Sequence, residues 1–222
     1  MTGQGYLPVK RALDLLIAGA AAVVLSPLLA VIAVAIRLED RGPAILRQRR
    51  VGLDGADFEL LKFRTMVPDA HRMGTGWLIA ERDPRITRVG HVLRRWSLDE
   101  LPQMFNVLRG EMSIIGPRPT LRYQVDQYTA FQHRRLEVKP GITGWAQIRG
   151  RNELTWPERI ELDVWYVDHV SLGLDLRILA RTLPMLLVPT GVYNEARGDW
   201  GEEVDPAGHA EPRPDAPAES AA

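Results

Sequence analysis

From Leu15 to Ile36 nearly every position is apolar or small. A run with no polar face differs from an ordinary surface helix, and about 20 such residues let a helix cross a bilayer. A buried core helix could carry the same pattern. A signal peptide fits less well, because the run is long for a signal core and no clear cleavage site precedes a mature domain. Ser26-Pro27 interrupts the run. Proline there removes a backbone hydrogen bond and clashes with the preceding turn, and the Ser26 hydroxyl can re-satisfy the freed group. Both flanks are basic, with Lys10 and Arg11 before and Arg37, Arg41, Arg47, Arg49 and Arg50 after. The positive-inside rule therefore draws both ends to the cytoplasm. A helix–break–helix that enters and leaves by one face satisfies both facts, and a single kinked crossing is the alternative. Asp14, at the mouth of the run, is expected to pair with a nearby arginine.

Downstream the periodicity changes. Ala44 to Met66 reads as a hairpin around the turn pair Asp54-Gly55. In its second strand Lys62 and Arg64 share one face, with Leu61 and Phe63 on the other. Asp83-Pro84-Arg85 marks a turn. Ser97 to Arg109 reads as a helix burying Leu101, Phe105 and Leu108. Gly116-Pro117-Arg118-Pro119 is a stiff connector, Leu121 to Leu136 a further helix, and Lys139 to Gly144 a loop. Pro157 to Asp168 reads as a helix with proline in its first turn. Leu174 to Leu187 is amphipathic and suits either the core or a membrane interface, with Pro184 bending or ending it. From about Asn194 large apolar residues nearly vanish, which predicts a disordered tail.

These elements predict an α+β chain, mainly helical. A lead (1–9) precedes a broken re-entrant membrane helix (10–37). A small cytoplasmic domain containing a β-hairpin (38–192) and a tail (193–222) follow.

Composition narrows the function. Lys+Arg and Asp+Glu are both 28, and this balance gives no support to a nucleic-acid binder. With no cysteine there is no disulfide, thiolate metal site or cysteine nucleophile. The five histidines include no i, i+4 pair, so a zinc motif is absent. Nearly all basic residues are arginine. A GC-rich coding sequence explains much of that bias, and arginine also suits bidentate phosphate binding.

Candidate chemistry gathers at Ser97-Leu98-Asp99-Glu100. Locally S-x-x-E is a capping box, and acidic residues favour a first helical turn. The same place keeps a carboxylate ionised and attracts phosphate, so Asp99 could attack a diphosphate. Glu100 could orient a metal or manage a proton. Pro117-Arg118-Pro119 is either a helix stop with a solvated arginine or a pre-set guanidinium aimed at phosphate. Gly150-Arg151-Asn152 is a second arginine loop. Neither a Walker loop nor GxGxxG is present, so nucleotide handling must rest on arginines and a metal.

The stretches Lys10-Arg11-Ala12-Leu13-Asp14, Gly42-Pro43, Arg49-Arg50-Val51-Gly52, Phe63-Arg64-Thr65-Met66 and Asp83-Pro84-Arg85-Ile86-Thr87 follow one another in order. They continue with Ser97-Leu98-Asp99-Glu100-Leu101-Pro102-Gln103, Gly116-Pro117-Arg118-Pro119, Lys139-Pro140-Gly141-Ile142-Thr143-Gly144 and Gly150-Arg151-Asn152. Together they resemble the bacterial sugar transferase family, in its small monotopic polyprenyl-phosphate phosphoglycosyl transferase form. The resemblance implies a re-entrant helix broken at Ser26-Pro27, with Asp99 as nucleophile and Glu100 as its partner. It implies Mg²⁺ beside both carboxylates, and phosphate or nucleotide contacts from Lys62, Arg64, Arg118 and Arg151. Asp99 would take a phosphosugar from a UDP-sugar and release UMP. A polyprenyl phosphate, expected to be undecaprenyl phosphate, would then collect it from the enzyme. Such an enzyme sits in the bacterial inner membrane, catalytic domain on the cytoplasmic face, at the first membrane step of a surface glycan. Two alternatives stand beside this: a one-step transferase in which Asp99 and Glu100 only ligate metal, and an inactive membrane scaffold. The sugar, the final glycan and the oligomeric state, a homo-oligomer included, are not legible.

Overall fold

The computed structural model describes residues 5–68, 70, 83–150 and 154–187. Two apolar helices open the chain, α1 (Leu7–Val24) and α2 (Ser26–Asp40), reaching further than the apolar run on both sides. They meet at a 61° bend. Pro27 has no N–H for the Val23 carbonyl four residues back, and Ser26 Oγ donates to that carbonyl at 2.8 Å. Among the described residues no single helix is long and apolar enough to cross a membrane, whereas the bent pair together passes on length and composition.

Both feet of the pair are fastened to the same body. At the α1 foot, Lys10 Nζ binds the buried Asp175 carboxylate at 2.6 Å. Arg11 donates to the Val107 and Leu108 carbonyls at 2.6 and 3.2 Å. Asp14 is buried and accepts the Ile114 amide at 3.0 Å, so its partner is a backbone N–H rather than the expected arginine. At the α2 foot, Asp40 takes the Arg64 guanidinium. There too, Glu39 accepts the Arg88 and Val89 amides that open α3 (Arg88–Arg95).

The predicted hairpin is present as β1 (Ile45–Val51) antiparallel to β2 (Asp57–Phe63), with Leu46 opposite Lys62. Asp54 and Gly55 adopt φ of 53° and 78°, the left-handed pair that Asp-Gly supplies.

The expected Ser97–Arg109 helix is two pieces: a 3₁₀ turn at Leu98–Glu100 and α4 (Gln103–Arg109). Ser97 sits at φ 53° with no side-chain cap, so the capping box does not form. The buried face of α4 is Gln103, Met104, Asn106 and Val107, while Phe105 is 40% exposed.

The Lys139–Gly144 loop is also corrected. Within it β4 (Gly141–Thr143) pairs in parallel with β3 (Ser113–Ile115), a second two-stranded sheet too short for periodicity to reveal. The Leu121–Leu136 helix divides into α5 (Arg122–Val125), α6 (Ala130–His133) and a 3₁₀ turn. Thr129 accepts the Gln132 amide and opens a fresh start there. The short α7 (Trp145–Arg149) is followed by α8 (Trp156–His169) and α9 (Leu172–Leu187), which run as predicted, and Pro184 lies inside α9. The chain is thus mainly helical with small β-sheets. The predicted tail from 193 lies outside the described residues.

Candidate active site

Lys62 is the next-to-last residue of β2, and Asn106 holds that strand in place. Buried on α4, Asn106 accepts the Leu61 amide at 3.0 Å and donates to the Glu59 carbonyl at 2.6 Å, behaving as a piece of a third strand. The turn bearing Asp99 and Glu100 packs between β2 and α3. Its Leu98 packs against a cluster that includes Ile32 and Ile36 of α2, so this turn and the apolar helix pair share one core. The left-handed Ser97 costs about 1–2 kcal/mol for a non-glycine residue. Backbone strain of this kind collects at functional sites.

Arg118 reaches the same place from the connector after β3, and its Nη2 donates to Glu100 Oε1 at 2.6 Å. Two close backbone passes hold the connector. A Cβ on Gly116 would lie 2.3 Å from the Lys139 carbonyl oxygen, and one on Gly144 would lie 2.2 Å from that of Gly116. Only glycine fits either position. Behind them Arg135, ion-paired with Asp163, donates to the Arg118 carbonyl at 3.0 Å.

The electrostatics follow from this enclosure. Burial first, and the adjacent Glu100 second, push the Asp99 carboxyl up to about 6, against the pull of Lys62, Arg94 and Arg118. Burial and then the Arg50 charge bring the Lys62 ammonium down to about 8, with Asp99 opposing. Glu100 raises Arg118. Near neutral pH the site therefore holds two carboxylates, one of them ready to share its charge, within a ring of cations.

Lys62, Asp99, Glu100 and Arg118 thus converge as the sequence suggested. Arg64 does not. Strand β2 ends at Phe63, and Arg64, 6% exposed, turns to grip both Asp40 oxygens with Nη1 and Nη2. Its Nε and Nη1 also donate to the Pro43 and Met66 carbonyls at 2.7 and 3.1 Å. It is a structural clasp for the foot of α2. Arg151 lies outside the described residues. Two residues escaped the sequence reading. Arg50 shares the Lys62 face of the hairpin, because its partner Phe58 lies four pairs, an even number, along from the Leu46–Lys62 pair; alternation plus register would have found it. Arg94 donates to Thr65 at 2.9 Å and acts on both Asp99 and Lys62; only the folding of α3 against β2 reveals it.

Among the described residues no three His, Cys, Asp or Glu side chains form a metal cage. The adjacent Asp99 and Glu100 still fit magnesium, which takes one or two carboxylates and completes its shell with water and substrate phosphate. They do not make a pre-built, all-protein site.

Comparison with known proteins gives the family. The family model for bacterial sugar transferases matches residues 5–189. The chain is 48% identical over 157 residues to the uncharacterized sugar transferase EpsL of Bacillus subtilis, covering 71% of this chain and 76% of that one. It is 38% identical to the exopolysaccharide production protein ExoY of Rhizobium meliloti, covering 83% and 88%. It is 44% identical to the UDP-glucose:undecaprenyl-phosphate glucose-1-phosphate transferase of Caulobacter vibrioides, covering 83% and 72%.

Proposed function

The chain belongs to the bacterial sugar transferase family and is a sugar-phosphate transferase. On that premise we propose that it transfers a sugar 1-phosphate from a UDP-sugar to undecaprenyl phosphate, in two displacements through Asp99. The observation that carries this reading is the convergence of Asp99 with Glu100, Lys62, Arg94 and Arg118 beside the apolar helix pair.

In the first displacement an Asp99 carboxylate oxygen attacks the β-phosphorus of the donor. The bond from that phosphorus to the bridging oxygen breaks, UMP leaves, and an acyl phosphate bearing the sugar remains on Asp99. Lys62, Arg94 and Arg118 receive the diphosphate and hold it as the charge shifts to the leaving group. Glu100 fixes the Arg118 guanidinium by their 2.6 Å contact. Asp99 and Glu100 would hold magnesium, which would supply neutralisation of part of the donor's diphosphate charge. In the second displacement a phosphate oxygen of the lipid attacks the same phosphorus. The Asp99–phosphorus bond breaks, the carboxylate returns, and the lipid carries the sugar diphosphate linkage away. A carboxylate raised to about 6 stays mostly ionised at neutral pH and gains more by losing its charge to phosphorus than a solvated aspartate would.

The helix pair is read as a re-entrant anchor in the inner membrane, with the body on the cytoplasmic face. This reading rests on the bend at Ser26-Pro27 and on two feet tied into one body. Arrival of an acceptor phosphate at headgroup depth then needs no extraction of its chain. The test incubates detergent-purified protein with Mg²⁺ and single UDP-sugars, without acceptor. Intact-mass analysis should show one added phosphosugar, absent in Asp99→Asn, with stoichiometric UMP release. Turnover with acceptor but no adduct would instead establish direct, one-step transfer.

A further inference from the structure

Arg159 lies in the first turns of α8 and had no part in the sequence reading. Its Nε donates to the Leu154 carbonyl at 3.1 Å. Among the described residues its two terminal nitrogens have no hydrogen-bond partner, and no carboxylate lies within 4.0 Å of it. It is half-buried. Asp163 follows one turn later on the same helical face. That carboxylate is taken by Arg135 Nη2, which also donates to the Arg118 carbonyl at 3.0 Å. The face of α8 carrying Arg159 is therefore turned toward the Pro117-Arg118-Pro119 connector.

The charges near Arg159 are mostly like its own. After burial, Arg118 is the strongest influence holding its pKa down, ahead of the opposing Asp163, and Arg135 adds to the repulsion. With Arg118 and Arg135 both acting on it, the half-buried Arg159 guanidinium is unfavourably placed unless an anion joins it to them. The Leu154 contact uses only one of the five N–H donors of the fork. We infer that Arg159 is a second arginine of the donor site, gripping the donor's phosphate oxygens together with Arg118. This rests on the proposed use of a nucleoside diphosphate sugar. It adds a residue that helix α8 brings to the site from far along the chain.

The test uses the full chain in detergent with Arg159→Gln and Arg159→Lys. Two readouts are taken: KM and kcat for the UDP-sugar, and the rise in Tm caused by inorganic pyrophosphate with neither sugar nor lipid present. Loss of a charge-assisted pair should raise KM about tenfold to a hundredfold, with kcat much less affected. The pyrophosphate-induced shift should disappear, while Tm without ligand stays near wild type. Arg159→Lys keeps the charge but loses the fork, and should recover only part of the KM effect. If Arg159→Gln matches wild type in both readouts, or lowers only the ligand-free Tm, the assignment is overturned and the residue merely caps Leu154. If Arg159→Gln does not fold, a wild-type KM in Arg159→Lys overturns it equally. If wild type turns over no UDP-sugar but Arg159→Gln abolishes its pyrophosphate shift, the proposed reaction fails and the arginine pair stands.

Discussion

Replacing Asp99 by asparagine should abolish turnover and make the protein more stable. The carboxyl is raised from 3.8 to about 6, so ionising it in the folded state is unfavourable. At 1.36 kcal/mol per unit this is a ceiling of about 3 kcal/mol at pH 7.5. For a body of this size that corresponds to a Tm rise of at most roughly 6–12 °C. The pH dependence has a definite sign. Below the unfolded value near 3.8 both states are protonated, and Asp99→Asn and wild type should melt together. Between 3.8 and about 6 the unfolded carboxyl is ionised and the folded one is not, so the gap opens as pH rises. Above about 6 it should be constant. Thermal melts of both proteins from pH 4 to 8, beside UMP release, measure this directly. A variant no more stable than wild type at pH 7.5, or a gap that widens toward acid, would refute the picture of a destabilised carboxylate. Retained turnover would remove Asp99 from the chemistry altogether.

The pH profile of kcat/KM should be bell-shaped. It should rise as the Asp99–Glu100 pair ionises through about 6 and fall as Lys62 loses its proton through about 8; a flat profile from 5.5 to 8.5 would contradict both assignments. Arg64→Met leaves the partly covered Asp40 carboxylate without its cation and should cost at most about 3 kcal/mol in a melt. Below that variant's melting range KM should be unchanged, whereas a phosphate ligand at Arg64 would raise it. Since the chain has no cysteine, Gly5→Cys and Asp54→Cys can each serve as the sole thiol for a membrane-impermeant reagent. Both should label from the cytoplasmic side of sealed vesicles, and adding Pro27→Leu to the Gly5→Cys variant should move its label to the other side; opposite sides in the unmodified background would rule out re-entry.

How much was legible depended on whether a feature is local. Ser26-Pro27 carries its meaning in two adjacent residues, one removing an N–H and the other supplying a hydroxyl, so the break and its repair were readable. Asp54-Gly55 likewise announces a left-handed turn. The stretch from Ser97 misled because a capping pattern and a strained catalytic turn share the same letters, and only φ at Ser97 separates them. Arg64 misled because alternation says which face a strand residue takes but not where the strand stops. Arg94 and Arg159 reach the site through the packing of α3 and α8, which no window of sequence contains.

The ion pairs at the two feet join the helix pair and the candidate site into one unit. Lys10–Asp175 and Asp40–Arg64 close the two feet of the helix pair on the body, with side chains mostly out of water. Buried pairs add little net stability over apolar packing, but breaking one is costly. They therefore suit fixing geometry better than supplying energy. Leu98, one residue before Asp99, packs against the cluster that holds Ile32 and Ile36 of α2. A shift of α2 relative to the body would thus disturb the seat of the turn that carries Asp99. On the proposed mechanism the lipid brings its attacking phosphate oxygen to a depth the lipid dictates, and a phosphosugar on a flexibly tethered aspartate would have to find it anew each time. With α2 clasped by Arg64 and the Asp99 turn packed on the same cluster as α2, the contacts that hold the helix pair also position Asp99.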